Sequence, residues 1–143
     1  MEIHLDDDQD IARVARGVKV IAIVGMSPNE SRPSWGVARY LQAQGFRIIP
    51  VNPGHAGSVI LGERVYGSLS EIPAEAGVDM VDIFRRSDAV AGIVEETLTH
   101  LPDARVVWTQ LGVRDDAAAR RARAAGLTVI QDRCPKIEFP RHL

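Results

Sequence analysis

Residues 20–25 read Val20-Ile21-Ala22-Ile23-Val24-Gly25, an apolar run of five residues that ends at a glycine. A strand that is apolar on both faces is typical of the centre of a parallel sheet covered by helices. A polar loop over residues 26–34 follows, and a helical pattern begins near Trp35. Because open α/β sheets bind ligands at the carboxyl ends of their strands, the stretch predicts a ligand site beside Gly25.

The composition is that of an ordinary globular protein, and we expect one domain over residues 1–143. The formal net charge of −2 gives no reason to expect nucleic acid as a partner. A single cysteine excludes an internal disulfide framework. No apolar stretch approaches the roughly 20 residues of a membrane span, and residues 1–10 are acidic without an apolar signal core. We therefore expect a cytoplasmic protein with no membrane partner.

Strand and helix patterns alternate along the chain. Five strands are predicted, at residues 19–24, 47–51, 78–84, 105–109 and 127–130. Helices are predicted at residues 34–44, 87–101 and 115–125, and a first helix, capped by Asp6 to Asp8, is predicted to end near Gly17. Residues 55–73 are less regular, and residues 132–143 are expected to form a tail. The pattern predicts an α/β, Rossmann-like, three-layer doubly wound fold with a parallel five-stranded sheet in the order 3-2-1-4-5.

Proline at position 50 is the one awkward residue in the predicted strands. Pro50 lies within strand two, and a proline cannot donate a hydrogen bond to the sheet. We accept it as a residue near the end of that strand.

In this architecture the carboxyl ends of all five strands lie on one rim of the sheet. The two best-known nucleotide signatures are absent from it. A dinucleotide fingerprint needs three glycines and an acidic residue after strand two, but Ser27 and Glu30 stand at the later glycine positions and strand two ends at Asn52. No Gly-Lys-Ser/Thr sequence of a Walker loop occurs. These departures disfavour ordinary NAD binding.

Hydroxyl and guanidinium groups on the same rim favour a phosphate-rich nucleotide. Arg32 and Ser34 lie near a predicted helix N-terminus, where anions bind. Arg85 and Arg86 follow strand three and can reach the same edge, and guanidinium groups bind phosphate in a bidentate manner. A nucleotide that carries a 3′-phosphate in place of a free ribose diol would fit a rim without the acidic residue.

Six short motifs carry a resemblance to a known family. They are Val-Gly-Met-Ser (24–27), Arg-Pro-Ser (32–34), Ile-Pro-Val-Asn-Pro (49–53), Val-Asp-Ile-Phe-Arg (81–85), Val-Trp-Thr-Gln-Leu-Gly-Val (107–113) and Asp-Arg-Cys-Pro (132–135). In this order and spacing they resemble the small bacterial and archaeal CoA-binding proteins, which are similar to the CoA-binding domain of the succinyl-CoA synthetase α-subunit. The resemblance runs from about Val18 to Pro140.

The resemblance implies coenzyme A as the ligand and assigns residues to its parts. Gly25, Met26 and Ser27 would form the turn at the phosphates, where Arg32 and Ser34 would contact phosphate oxygens. Val51, Asn52 and Pro53 would flank the adenine and ribose, and Phe84, Arg85 and Arg86 would line the adenine and phosphate channel. Gln110 and Gly112 would face the pantetheine arm. Met26 stands where a small residue is expected, and Glu30 adds a negative charge to the phosphate loop.

Chemistry at the rim is not expected. Synthetases that share this fold need further domains, and no nucleophile–base pair or metal-ligand cluster stands out in the sequence. Cys134 follows strand five and could form a mixed disulfide with CoA, or could be a small buried apolar residue. We expect a non-catalytic module that binds CoA or acyl-CoA, with a homodimer or another protein as a partner. The alternatives are a cofactor-presenting subunit of a split acyl-CoA synthetase and an NAD(P)-type redox sensor.

Overall fold

The computed structural model describes residues 4–143, with side chains from residue 8 onward. Its strands are β1 (Val20–Val24), β2 (Arg47–Val51), β3 (Val59–Ile60), β4 (Glu63–Arg64), β5 (Met80–Ile83), β6 (Val106–Thr109) and β7 (Thr128–Ile130). Its α-helices are α1 (His4–Gly17), α2 (Pro33–Ala43), α3 (Val90–His100), α4 (Asp116–Ala124) and α5 (Pro135–Glu138). Among these residues no helix is long and apolar enough to cross a membrane.

The main sheet has five parallel strands, and helices cover both of its faces. Alternate residues of β1 point to opposite faces, so Ile21 and Ile23 pack with α1, α2 and α5. Ala22 and Val24 pack on the other side with α3 and α4. The expected Rossmann-like α/β class with a parallel five-stranded sheet is confirmed.

The predicted strand order, 3-2-1-4-5, is wrong. The order is β2-β1-β5-β6-β7, which corresponds to 2-1-3-4-5 when the five predicted strands are numbered along the chain. The strand after β2 therefore pairs with the free side of β1 instead of extending the sheet beyond β2. The switch point lies between β1 and β5, directly at the end of the apolar run.

The outer edge of β2, which the predicted order assigned to strand three, is occupied by Tyr66. The Tyr66 N–H donates to the carbonyl oxygen of Pro50 at 3.0 Å, and the Asn52 N–H donates to the carbonyl oxygen of Tyr66 at 2.9 Å. In a parallel strand the N and C=O of one residue point to the same side, so the nitrogen of Pro50 also faces this edge. An edge is where a strand tolerates a residue without an N–H.

Both ends of the described chain differ from expectation. The helix α1 spans His4–Gly17, so the backbone of the predicted capping segment, Asp6 to Asp8, lies inside the helix. The predicted tail, residues 132–143, contains α5 and a 3₁₀ turn at Phe139–Arg141. Phe139 is fully buried, and its ring centroid lies 5.5 Å from those of both Phe46 and Trp108. The C-terminal segment is therefore part of the core.

Candidate functional site

Three strand ends meet at Gly25. Its N–H donates to the carbonyl oxygen of Val51 at 2.8 Å, and the Phe84 N–H donates to the carbonyl oxygen of Val24 at 2.8 Å. Gly25 has a φ of +86°, and a Cβ there would lie 2.3 Å from the Phe84 carbonyl oxygen and 2.9 Å from Cδ of Arg85. Only glycine fits this position, and its missing side chain lets Arg85 lie across the end of β1.

The loop after Gly25 is held by its own side chains. Ser34 is buried, and its Oγ accepts a hydrogen bond from the Ser27 N–H at 3.0 Å. The Oγ of Ser27 accepts from the Asn29 N–H at 3.1 Å, and Oδ1 of Asn29 accepts from the Ser31 N–H at 2.9 Å. The predicted phosphate ligand Ser34 thus orders the backbone of the loop.

Met26 and Asn52 fix the loop to β2. The Met26 side chain is fully buried in the core, so only its backbone lies at the rim. Nδ2 of Asn52 donates to the carbonyl oxygen of Met26 at 3.0 Å, and its Oδ1 accepts from the Gly54 N–H at 3.0 Å. The bulky Met26 is tolerated because its side chain turns inward, and the side chain of Asn52 joins two strand ends.

The positive charges at the N-terminus of α2 are not balanced by acids of that helix. Arg32 is the N-cap residue, Pro33 follows it, and the first turn of α2 contains no acidic residue. Arg32 and Arg85 are exposed, and within residues 4–143 neither has a recorded ion pair, whereas Arg86 lies 3.6 Å from Asp88. Since a helix N-terminus itself carries partial positive charge, this edge favours an anion.

A cleft of about 600 Å³ opens beside these cations, between α2 and the ends of β5 and β6. Its lining residues are mostly apolar and comprise Pro33, Phe84, Arg85, Arg86, Gln110, Leu111 and Val113. Gln110 is only 7% exposed, and its Oε1 has no hydrogen-bond partner among the described residues. A buried carbonyl oxygen without a partner is costly, so Gln110 is a polar group in the wall of this cleft that the described residues leave unsatisfied.

A smaller hollow of about 220 Å³ lies on the other side of Arg85. Its lining comprises Val24, Val51, Pro53, Gly67, Ser68, Leu69, Arg85, Ile93 and Glu96. Arg85 lines both spaces and so stands between the predicted adenine side and the predicted pantetheine side. Sequence reasoning missed Gly67 and Ser68, because no local pattern indicates that this segment returns to the edge of β2.

Gly112 lines neither space, although its neighbours Leu111 and Val113 line the larger cleft. It has a φ of +82°, and its N–H donates to Oδ1 of Asp132 at 2.7 Å. That hydrogen bond joins the loop after β6 to the loop after β7. The structure therefore assigns Gly112 to the connection between two rim loops.

Two reactive side chains near the rim are buried. Asp82 is fully buried, and burial raises the pKa of its carboxyl well above the usual range. Neither of its oxygens has a hydrogen-bond partner among the described residues. Cys134 is 7% exposed and packs in the core cluster with Phe139. Residues 4–143 hold no group of three His, Cys, Asp or Glu side chains suited to a metal ion.

Comparison with known proteins agrees with the geometry. The sequence matches the family described as "CoA binding domain" over residues 19–140. It is 38% identical over 128 residues to the uncharacterized protein YneT of Bacillus subtilis, with 90% of each chain covered. It is also similar to the structure of cell-free ID.343 from Thermus thermophilus, at 34% identity and a TM-score of 0.87, covering 95% of this chain and 98% of that one.

A more distant likeness shows the fold alone. A dinucleotide-forming acetyl-coenzyme A synthetase of Candidatus Korarchaeum cryptofilum is 23% identical, with a TM-score of 0.65 over 84% of this chain and 27% of that one. The family match spans most of the chain and includes the ends of all five strands of the main sheet. The chain therefore belongs to the CoA-binding domain family.

Proposed function

We propose that this protein binds coenzyme A, or acyl-CoA, as a stand-alone and non-catalytic module. The observation that carries the proposal is the division of one rim into a cationic edge and an apolar cleft, lined in part by Gln110, whose buried Oε1 has no partner among the described residues. Coenzyme A has the matching division, because its phosphates are anionic and its pantetheine arm is largely apolar with two amide groups.

The cationic edge suits the phosphates. Arg32 at the start of α2 and Arg85 across the end of β1, beside Gly25, are both exposed. Guanidinium groups bind phosphate oxygens with charge-assisted hydrogen bonds, which are stronger than neutral ones. The smaller hollow beyond Arg85, lined by Val51 and Pro53, would take the adenine and ribose.

The apolar cleft suits the pantetheine arm. Phe84, Leu111 and Val113 provide apolar contact, and Oε1 of Gln110 can accept a hydrogen bond from an amide N–H of the arm. NAD has no such arm, and its ribose diol would meet the amide of Asn52 where an acidic residue is usual. CoA therefore fits the rim better than NAD does.

A thermal-shift series tests this assignment. CoA, dephospho-CoA, 3′,5′-ADP, pantetheine and NAD are added separately to the wild type. A ligand at 100 times its dissociation constant adds about 2.7 kcal/mol to the free energy of unfolding. We expect the largest shift with CoA, smaller shifts with dephospho-CoA and 3′,5′-ADP, and none with NAD at the same concentration. A shift with NAD and none with CoA would favour the redox sensor and overturn the proposal.

A pair of glutamine variants tests the cleft itself. Gln110→Leu should reduce the free energy of CoA binding by about 0.5–1.5 kcal/mol, because one hydrogen bond is lost. Its affinity for 3′,5′-ADP, which lacks the arm, should not change. Gln44→Leu is the control, since Gln44 is exposed at the opposite end of α2. Equal effects of Gln110→Leu on the affinities for both ligands would contradict the placement of the pantetheine arm in this cleft.

The main alternative is a cofactor-presenting subunit of a split acyl-CoA synthetase. The fold that the chain shares with an acetyl-coenzyme A synthetase is compatible with this alternative. We favour binding alone because no nucleophile with a nearby base lies at the rim among the described residues, and Cys134 and Asp82 are buried. Incubation with CoA, a carboxylic acid and ATP, followed by mass spectrometry, should return unmodified CoA. Formation of acyl-CoA would contradict a non-catalytic role.

A further inference from the structure

Lys136 lies beside the first turn of α2, far from it in sequence. It projects from α5, the short helix that follows β7 and packs against α2. Its Nζ is 3.9 Å from the position that a Cβ would occupy at Gly36. Gly36 is the fourth residue of α2, so the missing side chain leaves open space next to the helix backbone for the ammonium group.

The exposed charge of Lys136 lies near the end of α2 where an anion, and not a cation, is favoured. Cations are favoured at the C-terminus of a helix and disfavoured near its N-terminus. The first turn of α2 holds no acidic residue, and Arg32 adds a second cation. In the described part of the chain, Lys136 has no recorded ion pair or hydrogen bond.

Nearby carboxylates do not supply the missing negative charge. Glu138, on the same short helix, is buried and lies 3.5 Å from both Arg133 and Arg141. Glu30, in the loop before α2, is exposed and has no recorded ion pair among residues 4–143. In the described part of the chain near the N-terminus of α2, the positively charged side chains Arg32 and Lys136 therefore outnumber the one unpaired carboxylate, Glu30.

An independent observation points to a ligand at the same edge. The cleft is lined by Gln110, whose buried Oε1 has no partner among the described residues, and by Pro33, the first residue of α2. A ligand that fills this cleft and continues toward the start of α2 would bring its charged part to the cations there.

We propose that Lys136 is an additional ligand-binding residue, whose ammonium group neutralises a phosphate group held at the N-terminus of α2. The inference rests on the proposed function and extends it, because none of the predicted site residues comes from α5. It also gives the C-terminal segment a second role beside core packing. The site is then built from the ends of β1, β2, β5 and β6 together with α5.

Chemical labelling tests the proposal directly, because the chain contains only two lysines, Lys19 and Lys136. Lys19 directly precedes β1, at the amino ends of the strands and therefore opposite the rim that carries the proposed site. It serves as an internal control. Reductive methylation is carried out with and without saturating CoA, and each lysine is quantified by peptide mass spectrometry. We expect CoA to reduce methylation of Lys136 several-fold and to leave Lys19 unchanged. Unchanged methylation of Lys136, while the thermal shift shows that CoA is bound, would overturn this inference alone.

Charge variants give a second readout. Lys136→Gln keeps much of the side-chain length and removes the charge, so the Kd for CoA should rise about fivefold at low salt and less at high salt. Lys136→Arg should restore most of the affinity, and Lys19→Gln should have no effect. An unchanged Kd in Lys136→Gln would exclude the contact. Failure of the wild type to bind CoA at all would instead contradict the proposed function.

Discussion

A methyl group at residue 25 would lie 2.3 Å from the carbonyl oxygen of Phe84, inside the closest approach of real atoms. The φ of +86° adds the strain of a left-handed conformation, about 1–2 kcal/mol for a residue with a side chain. We expect Gly25→Ala to reduce the free energy of unfolding by more than about 2 kcal/mol and to weaken CoA binding, because the end of β5 must move. Urea unfolding and calorimetric titration measure the two effects.

Gly126→Ala separates the clash from the backbone strain. Gly126 has a φ of +95°, and a Cβ there would meet no atom within 4 Å. Gly126→Ala should therefore lose only the stability that corresponds to the strained backbone conformation, and its affinity for CoA should be unchanged. If the two variants lose the same stability, the close contact at Gly25 has no energetic weight.

Asp82 makes the stability of the protein depend on pH. Burial raises the pKa of its carboxyl in the folded state, whereas the unfolded chain should have a pKa of about 3.9. The unfolded state therefore ionises first as pH rises, and stability from this group falls by up to about 1.36 kcal/mol per pH unit above pH 4. The contribution is fully present below the unfolded pKa and is lost as pH rises toward the folded one.

Asp82→Asn removes this titration and keeps the shape of the side chain. Urea unfolding of both proteins is measured at several values between pH 4 and pH 7. As pH increases, the free energy of unfolding of the variant should rise relative to that of the wild type. Other titrating groups cancel in the difference between the two proteins. Parallel stability curves would mean that Asp82 is ionised in the folded protein.

At the scale of elements, the proposed phosphate site lies at the N-terminus of α2, where Arg32 is the N-cap and the first turn holds no acidic residue. We expect Arg32→Ala to weaken CoA by about 1.5–3 kcal/mol, or roughly 10- to 150-fold, because a charge-assisted hydrogen bond is lost. Arg39→Ala removes the same charge from an exposed position two turns further along α2. Its effect should be much smaller, because exposed charges are screened over about 10 Å at 0.1 M salt. Equal losses in calorimetric titration would indicate general attraction and remove Arg32 from the site.

The edge position of β2 could have been read from Pro50. The order 3-2-1-4-5 places strand two between two neighbours, where a missing N–H breaks the ladder. The order β2-β1-β5-β6-β7 places it at the edge, with the Pro50 carbonyl oxygen bonded to Tyr66. The sequence therefore contained evidence against the predicted order.

At the scale of the whole molecule, the C-terminal segment closes the core on the side of α1 and α2. We expect Phe139→Ala to cost about 3–5 kcal/mol of unfolding free energy, because a fully buried ring between Phe46 and Trp108 is removed. Ile137→Ala, two residues earlier and 56% exposed, should cost less than about 0.5 kcal/mol. Urea unfolding of the two variants measures both. Similar values would mean that the segment is not packed as described.

Much of the proposed binding edge could be assembled from the sequence, because parallel strands end on the same side of a sheet. Gly25, Phe84, Arg85 and Gln110 follow buried strands, and the structure brings all four to the switch point. The residues that sequence reasoning missed come from connections whose paths have no local signal. Ser68 reaches the smaller hollow because its segment returns to the edge of β2, and Lys136 reaches α2 because Phe139 anchors the C-terminal segment.

The sequence by itself determined the five strands of the main sheet, the helices α2, α3 and α4, the α/β class and the family, since apolar periodicity and the spacing of short motifs are local properties of the chain. Only the tertiary structure decided the strand order, the inward turn of Met26, the role of Ser34 in holding the loop and the arrival of Lys136 beside Gly36. Each of these depends on contacts between parts of the chain that local patterns do not relate. The free energy of those contacts comes from packing and from hydrogen bonds formed only once the sheet has assembled.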